Sequence, residues 1–84
     1  MTRILVINCG SSSIKYQLFE ARNGEAEALG RGIVERIGER TSVFRQRTDR
    51  GEIEFETTVR NHGEGFGLLV EGLLDRERGV IEDL

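Results

Sequence analysis

Between Asn8 and Lys15 the chain reads Asn-Cys-Gly-Ser-Ser-Ser-Ile-Lys, and most of its potential chemistry is gathered there. A glycine followed by three serines lets the backbone come close to a bound anion, and it offers several N–H groups and hydroxyls as donors. Lys15, one residue into the next segment, adds a positive charge directed back at the turn. Gly10, Ser11, Ser12, Ser13 and Lys15 thus compose a phosphate cradle. Lys15 is the one lysine among twelve basic residues, the other eleven being arginine. A compact ammonium serves phosphate as a point charge, which a flat guanidinium does not replace. Chance in a short arginine-rich chain is the alternative, and composition alone leaves open a polar turn that holds no ligand.

The cradle is not a Walker A loop. That motif needs Gly directly before Lys, Ser or Thr after it, and a helix that starts there. Here Ile14 precedes Lys15, Tyr16 follows it, and the pattern continues as a strand, so the turn has no helix dipole. Asn8, at the entrance, either serves a ligand or caps the turn through its side chain. Cys9 has no activating neighbour in the sequence and is expected as a small buried residue at a strand end. His62 has no Cys or Asp at metal-ligand spacing and is expected as a surface or packing residue.

The elements that must position these groups are legible from periodicity. Arg3 to Ile7 is a short apolar run ended by Asn-Cys-Gly, which predicts a buried strand. Ser13 to Glu20 alternates, with Ile14, Tyr16 and Leu18 on one face and Lys15 and Gln17 on the other, a half-buried strand. The Gly/Ser turn between them makes a β-hairpin. Asn23-Gly24 marks a second turn. Ala26 to Ile37, with Gly30 and Gly32 inside, reads as a further strand rather than a helix. Ser42 to Arg47 and Ile53 to Arg60 alternate as two strands joined at Asp49-Arg50-Gly51.

A helix is expected from Asn61, whose side chain caps it, with Glu64 completing an approximate capping box. Phe66, Leu69, Val70, Leu73 and Leu74 form one apolar stripe. Gly63, Gly65, Gly67 and Gly72 weaken that helix intrinsically, so packing on the sheet must hold it. Gly79 is expected to end it. The fold class is α/β, mainly antiparallel hairpins plus one helix.

The 84 residues allow one small domain at most, with 37% apolar and 32% charged residues. A formal charge of −3, with acids and arginines mixed along the chain, argues against a nucleic-acid surface. Ile4 to Ile7 is too short for a signal peptide or membrane span. A single cysteine makes no internal disulfide, so a reducing cytoplasm is the simpler compartment.

"INCGSSSIKYQLFE", Ile7 to Glu20, closely resembles the N-terminal signature of acetate kinases, in the superfamily of acetate and sugar kinases, Hsp70 and actin. More loosely, "GRGIVERIG" is similar to the family's Gly-x-x-Glu-x-Ile-Gly stretch, and "NHGEGFGLLVEGLLD" to its first long helix. The resemblance implies the opening part of an actin-like, ribonuclease H-like ATPase lobe. Residues 1–84 would then be the N-terminal segment of the first lobe of an acetate kinase, the remainder of the enzyme being absent.

It also implies a reaction, the reversible transfer of the γ-phosphoryl of ATP to acetate with Mg²⁺, giving ADP and acetyl phosphate. In the family the matching asparagine helps bind Mg²⁺, a role that falls on Asn8. The matching serines lie against the phosphates, which assigns Ser11 and Ser13 most firmly, Ser12 less so, and Lys15 would contact ATP phosphates. Catalytic residues would lie beyond Leu84, together with the substrate-clamping arginines and the adenine pocket. The resemblance further implies a homo-oligomer for the complete protein. Propionate kinase shares the motif. Butyrate kinase departs from it, typically having Pro where Cys9 stands and Ser-Thr-Ser in place of the three serines. The reading from another class is a phosphate-binding fragment without turnover.

Overall fold

The computed structural model describes residues 2–75. Five strands follow one another as an antiparallel meander, in the spatial order β1-β2-β3-β4-β5. They are β1 (Thr2–Cys9), β2 (Ile14–Arg22), β3 (Glu25–Glu35), β4 (Ser42–Thr48) and β5 (Gly51–Thr57), and helix α1 (His62–Leu73) packs on one face. This is the expected antiparallel α/β architecture.

Turn chemistry sets the connections. Asn23 and Gly24 both take positive φ, 53° and 80°, the backbone that a two-residue hairpin loop demands. Gly51 opens β5 at φ 133°, a conformation that a side chain rarely adopts. The last strand ends at Thr57, three residues short of the expected Arg60. Val59, past the end of β5, is held by a side chain and a loop instead of by the ladder: its N–H donates to Oγ of Ser42 at the start of β4, at 3.1 Å, and its carbonyl accepts from Gly38 N at 2.8 Å.

The core lies between the sheet and α1. Ile14, Tyr16, Leu18, Val34, Phe44, Ile53, Leu69 and Leu73 are buried in it, as the alternation in β2 and the helical stripe require. Burying Leu69 and Leu73 contributes about 1.5–3 kcal/mol each. The helix comes in close because it presents glycine to the sheet. A Cβ on Gly72 would lie 2.7 Å from Phe44 Cζ, and one on Gly65 3.0 Å from Ile14 Cδ1. On the sheet side the Tyr16 ring lies over Gly32, whose missing side chain makes the room. Within this core Tyr16 Oη donates to Gln46 Oε1 at 2.7 Å, and Gln46 Nε2 donates to the Gly72 carbonyl at 2.8 Å.

Several expectations are corrected. β1 is not buried: Ile4, Val6 and Ile7 are 37–48% exposed, because β1 is the sheet's edge strand and among the described residues only Leu5 packs against the core. Cys9, expected to be buried, is exposed at the end of that strand. Phe66 lies on the predicted stripe yet is 46% exposed. The helix proper ends at Leu73, and the expected stop at Gly79 lies outside the described residues.

The helix start is as expected at its cap, where Asn61 Oδ1 accepts from Glu64 N at 2.9 Å. The reciprocal half of the box is displaced by one residue. Glu64 accepts the Arg60 backbone N–H at 3.1 Å and the Arg60 guanidinium at 2.9 Å, not the cap's own N–H. The backbone donor first, with Arg60's side chain adding to it, holds the Glu64 carboxyl below its ordinary value.

Candidate functional site

The β1–β2 turn, Gly10 to Ser13, is closed by its own backbone: Gly10 N donates to Ser13 O at 2.9 Å. The Ser13 hydroxyl sits where a Gly10 side chain would begin, since a Cβ there would be 2.7 Å from Ser13 Oγ. Two outside groups hold the turn. Ile37 N donates to Ser12 O at 2.9 Å, and His62 Nε2 lies 2.8 Å from Gly10 O. A carbonyl only accepts, so His62 carries its proton on Nε2 in this contact.

The result is a polarised loop. The carbonyls of Gly10, Ser12 and Ser13 are all engaged by protein donors, whereas the N–H groups of Ser11, Ser12 and Ser13 find no acceptor among the described residues. Ser11 and Ser12 are exposed and Ser13 is half-buried, so these donors are open to solvent or to a ligand. Successive free N–H groups, with three of the turn's four carbonyls bound elsewhere, suit an anion.

Asn8 and Lys15 face each other across the β1–β2 ladder. Being directly opposed, they share one face of the sheet, the face away from α1, since Ile14 and Tyr16 beside Lys15 are in the core. There they line a shallow trough of about 550 Å³ with Val6, Gln17, Arg31 and Ile33. Farther along that face the charges are matched: Arg45 pairs with Glu54 at 2.9 Å and Glu35 at 3.3 Å, and Arg47 with Glu52 at 2.7 Å. These exposed pairs are each worth about 0–1 kcal/mol. Lys15 and Arg31 form no ion pair among the described residues, and of the two Lys15 stands at the end nearer the turn, opposite Asn8.

The structure therefore brings together Asn8, Gly10, Ser11, Ser12, Ser13 and Lys15, all six residues singled out in the sequence. Asn8 makes no side-chain hydrogen bond to the turn among the described residues. The sequence missed His62 and Ile37. His62, expected to be bland, reaches the turn across 52 positions, and no local signal marks a contact of that range. It also places the start of α1 beside a turn that has no helix of its own.

Nucleotide phosphates fit this donor set, with N–H groups, hydroxyls and an ammonium at the mouth of a turn. For Mg²⁺ the turn offers only neutral oxygens, the Asn8 amide and the serine hydroxyls, and the described residues hold no cluster of three or more His, Cys, Asp or Glu. A magnesium ion here would take its remaining ligands from phosphate oxygens and water, as that ion commonly does.

Fold and turn define the class: an antiparallel α/β lobe with a donor-rich, cation-flanked hairpin at one end. The acetokinase family model matches residues 3–83, and the chain belongs to that family. It is 42% identical over 82 residues to the acetate kinase of Clostridium botulinum strain Langeland, covering 98% of this chain and 20% of that relative. It is 39% identical over 83 residues to the acetate kinase of Thermoanaerobacter pseudethanolicus, again covering 98% and 20%. The crystal structure of Porphyromonas gingivalis acetate kinase superposes with a TM-score of 0.87 at 31% identity, over 99% of this chain and 21% of that one. The chain thus spans about a fifth of the length of the relatives it matches. Among the described residues no helix is long and apolar enough to cross a membrane.

Proposed function

We propose that this chain supplies the ATP-phosphate-binding turn of an acetate kinase, which moves the γ-phosphoryl of ATP to the carboxylate of acetate and back. The observation that supports the reading is the polarised turn: the carbonyls of Gly10, Ser12 and Ser13 bound by protein donors, the N–H groups of Ser11, Ser12 and Ser13 without an acceptor among the described residues, and Lys15 at the start of the adjoining strand. Phosphoryl transfer asks a protein chiefly for positioning and for neutralising charge on the moving group. Ser11, Ser12 and Ser13 would hold phosphate oxygens through N–H and hydroxyl donors, and Gly10 lets the backbone approach them. Lys15 would offset their charge. Asn8 would help hold Mg²⁺ through its amide oxygen, and the ion would supply positive charge against the phosphates.

The acyl acceptor would be acetate, with propionate the alternative through the motif that propionate kinase shares. The complete protein would be cytoplasmic and homo-oligomeric, with small-molecule substrates and neither nucleic acid nor membrane as partner. A second reading, a phosphate-binding piece with no turnover, is favoured by one fact: the chain spans about a fifth of its relatives. The two are compatible, since the 84 residues alone are expected to be inactive while the whole protein is a kinase.

The test is NMR titration of the 15N-labelled chain with Mg²⁺ and tripolyphosphate. Amide signals of Ser11, Ser12 and Ser13 should move, and Lys15→Ala should weaken the effect several-fold while leaving the thermal midpoint unchanged. Shifts confined to other parts of the sheet would overturn the assignment. Acyl phosphate formation by the 84 residues alone, trapped as hydroxamate, would overturn the expectation of inactivity.

A further inference from the structure

We infer that His62 is the positioning residue that orients the Ser11 donor, so that the first residue of α1 controls whether the turn presents an N–H or a carbonyl to its ligand. The inference rests on the phosphate reading of the turn only for the nature of that ligand. The peptide between Gly10 and Ser11 is trans, so its C=O and N–H point in opposite directions. His62 Nε2 holds the Gly10 oxygen at 2.8 Å, on the α1 side. The Ser11 N–H on the same peptide must then point away from α1, where nothing among the described residues accepts it. Ile37 does the same two peptides later, since its N–H holds Ser12 O and thereby sets the Ser13 N–H.

The two restraints differ in kind. Ile37 acts through its backbone, which any side chain preserves, whereas His62 acts through a ring. The Gly10–Ser11 peptide also has the most freedom to rotate, because glycine lacks the Cβ that would restrict its ψ. Released from His62, that peptide can turn its carbonyl outward and oppose an anion. The hold spans α1 and the β1–β2 hairpin, and Asn61 independently caps the helix, so loss of the ring leaves α1 formed.

The test uses the 84-residue chain with three substitutions. His62→Ala removes the donor, His62→Asn falls a bond short of Gly10 O, and His62→Gln restores an N–H at the reach of Nε2. The Gly10 carbonyl 13C shift reads the hydrogen bond directly, and 15N relaxation dispersion at Ser11 reads rotation of the peptide. Tripolyphosphate affinity reads the consequence. Ala and Asn should shift the Gly10 carbonyl, produce dispersion at Ser11 and weaken tripolyphosphate about fivefold, equivalent to about 1 kcal/mol. Gln should recover all three. A packing role would not separate Gln from Asn, and unchanged Leu69 amide signals would show the core intact. An unaltered Gly10 carbonyl in His62→Ala overturns the inference. If the loop signals respond as expected but the unsubstituted chain does not bind tripolyphosphate, the phosphate reading fails and His62's hold on the turn stands. Altered loop signals with unaltered affinity would remove the link to ligand binding.

Discussion

Gly67 and Gly72 lie on the same helix, and replacing each with alanine should move stability in opposite directions. Around Gly67 there is nothing within 4 Å of an added Cβ, so Gly67→Ala only removes backbone freedom from the unfolded chain. The expected gain is about 0.8–1 kcal/mol. At Gly72 the new Cβ would stand 2.7 Å from Phe44 Cζ and 2.8 Å from Gln46 Oε1. The first of these is about 0.7 Å inside the shortest ordinary contact of 3.4 Å, and Phe44 is buried with no open side to move into.

Overpacking of that kind costs about 1–3 kcal/mol. If Gln46 yields instead, its bonds with Tyr16 Oη and the Gly72 carbonyl loosen, each worth about 1 kcal/mol net. The helix-propensity gain offsets only part of this, since Gly72 is the last residue but one of α1. Gly72→Ala should therefore lose about 1–2 kcal/mol, and the two variants should differ by about 2–3 kcal/mol. Urea unfolding followed by far-ultraviolet circular dichroism measures both, with equal m-values showing that the unfolded states match. A Gly72→Ala variant as stable as Gly67→Ala would refute the claim that glycine is there for close approach.

Other expectations follow from single groups. Tyr16 is the chain's one tyrosine, and burial pushes its hydroxyl well above the ordinary 10. Because the folded value is raised, the stability it supplies is complete below pH 10 and declines as pH rises toward the folded value. Tyrosinate absorbance should thus appear together with unfolding, and ionisation near pH 10 with native dichroism would contradict the burial. Glu64 is lowered, so its contribution to α1 is present above its ordinary 4.5 and is lost as acid titrates through the folded value. Glu64→Gln should flatten that acid loss of helicity. At the sheet edge, Val6→Lys interrupts the exposed run Ile4, Val6 and Ile7, and light scattering should show slower aggregation. Equal aggregation would place the sticky surface elsewhere.

The sequence by itself determined the elements and the chemistry of the turn. Alternation at Ile14, Tyr16 and Leu18, glycine at Asn23-Gly24 and Gly51, and the stripe through Leu69 and Leu73 are local signals, because strand pleat and helix pitch are local geometry. Asn8, Gly10, Ser11, Ser12, Ser13 and Lys15 were legible for the same reason, being held within eight consecutive positions. Only the tertiary structure decided what covers what. The apolar run Ile4 to Ile7 reads as buried, yet burial depends on neighbours across the sheet, and an edge strand lacks them on one side. Cys9 is exposed for the same reason. Gly72 looks like a weakness in a helix until Phe44 and Gln46 are packed against it. His62 carries no motif at all; its reach to Gly10 exists because α1 folds back over β2 and β3, and no pattern in consecutive residues encodes a contact made 52 positions away.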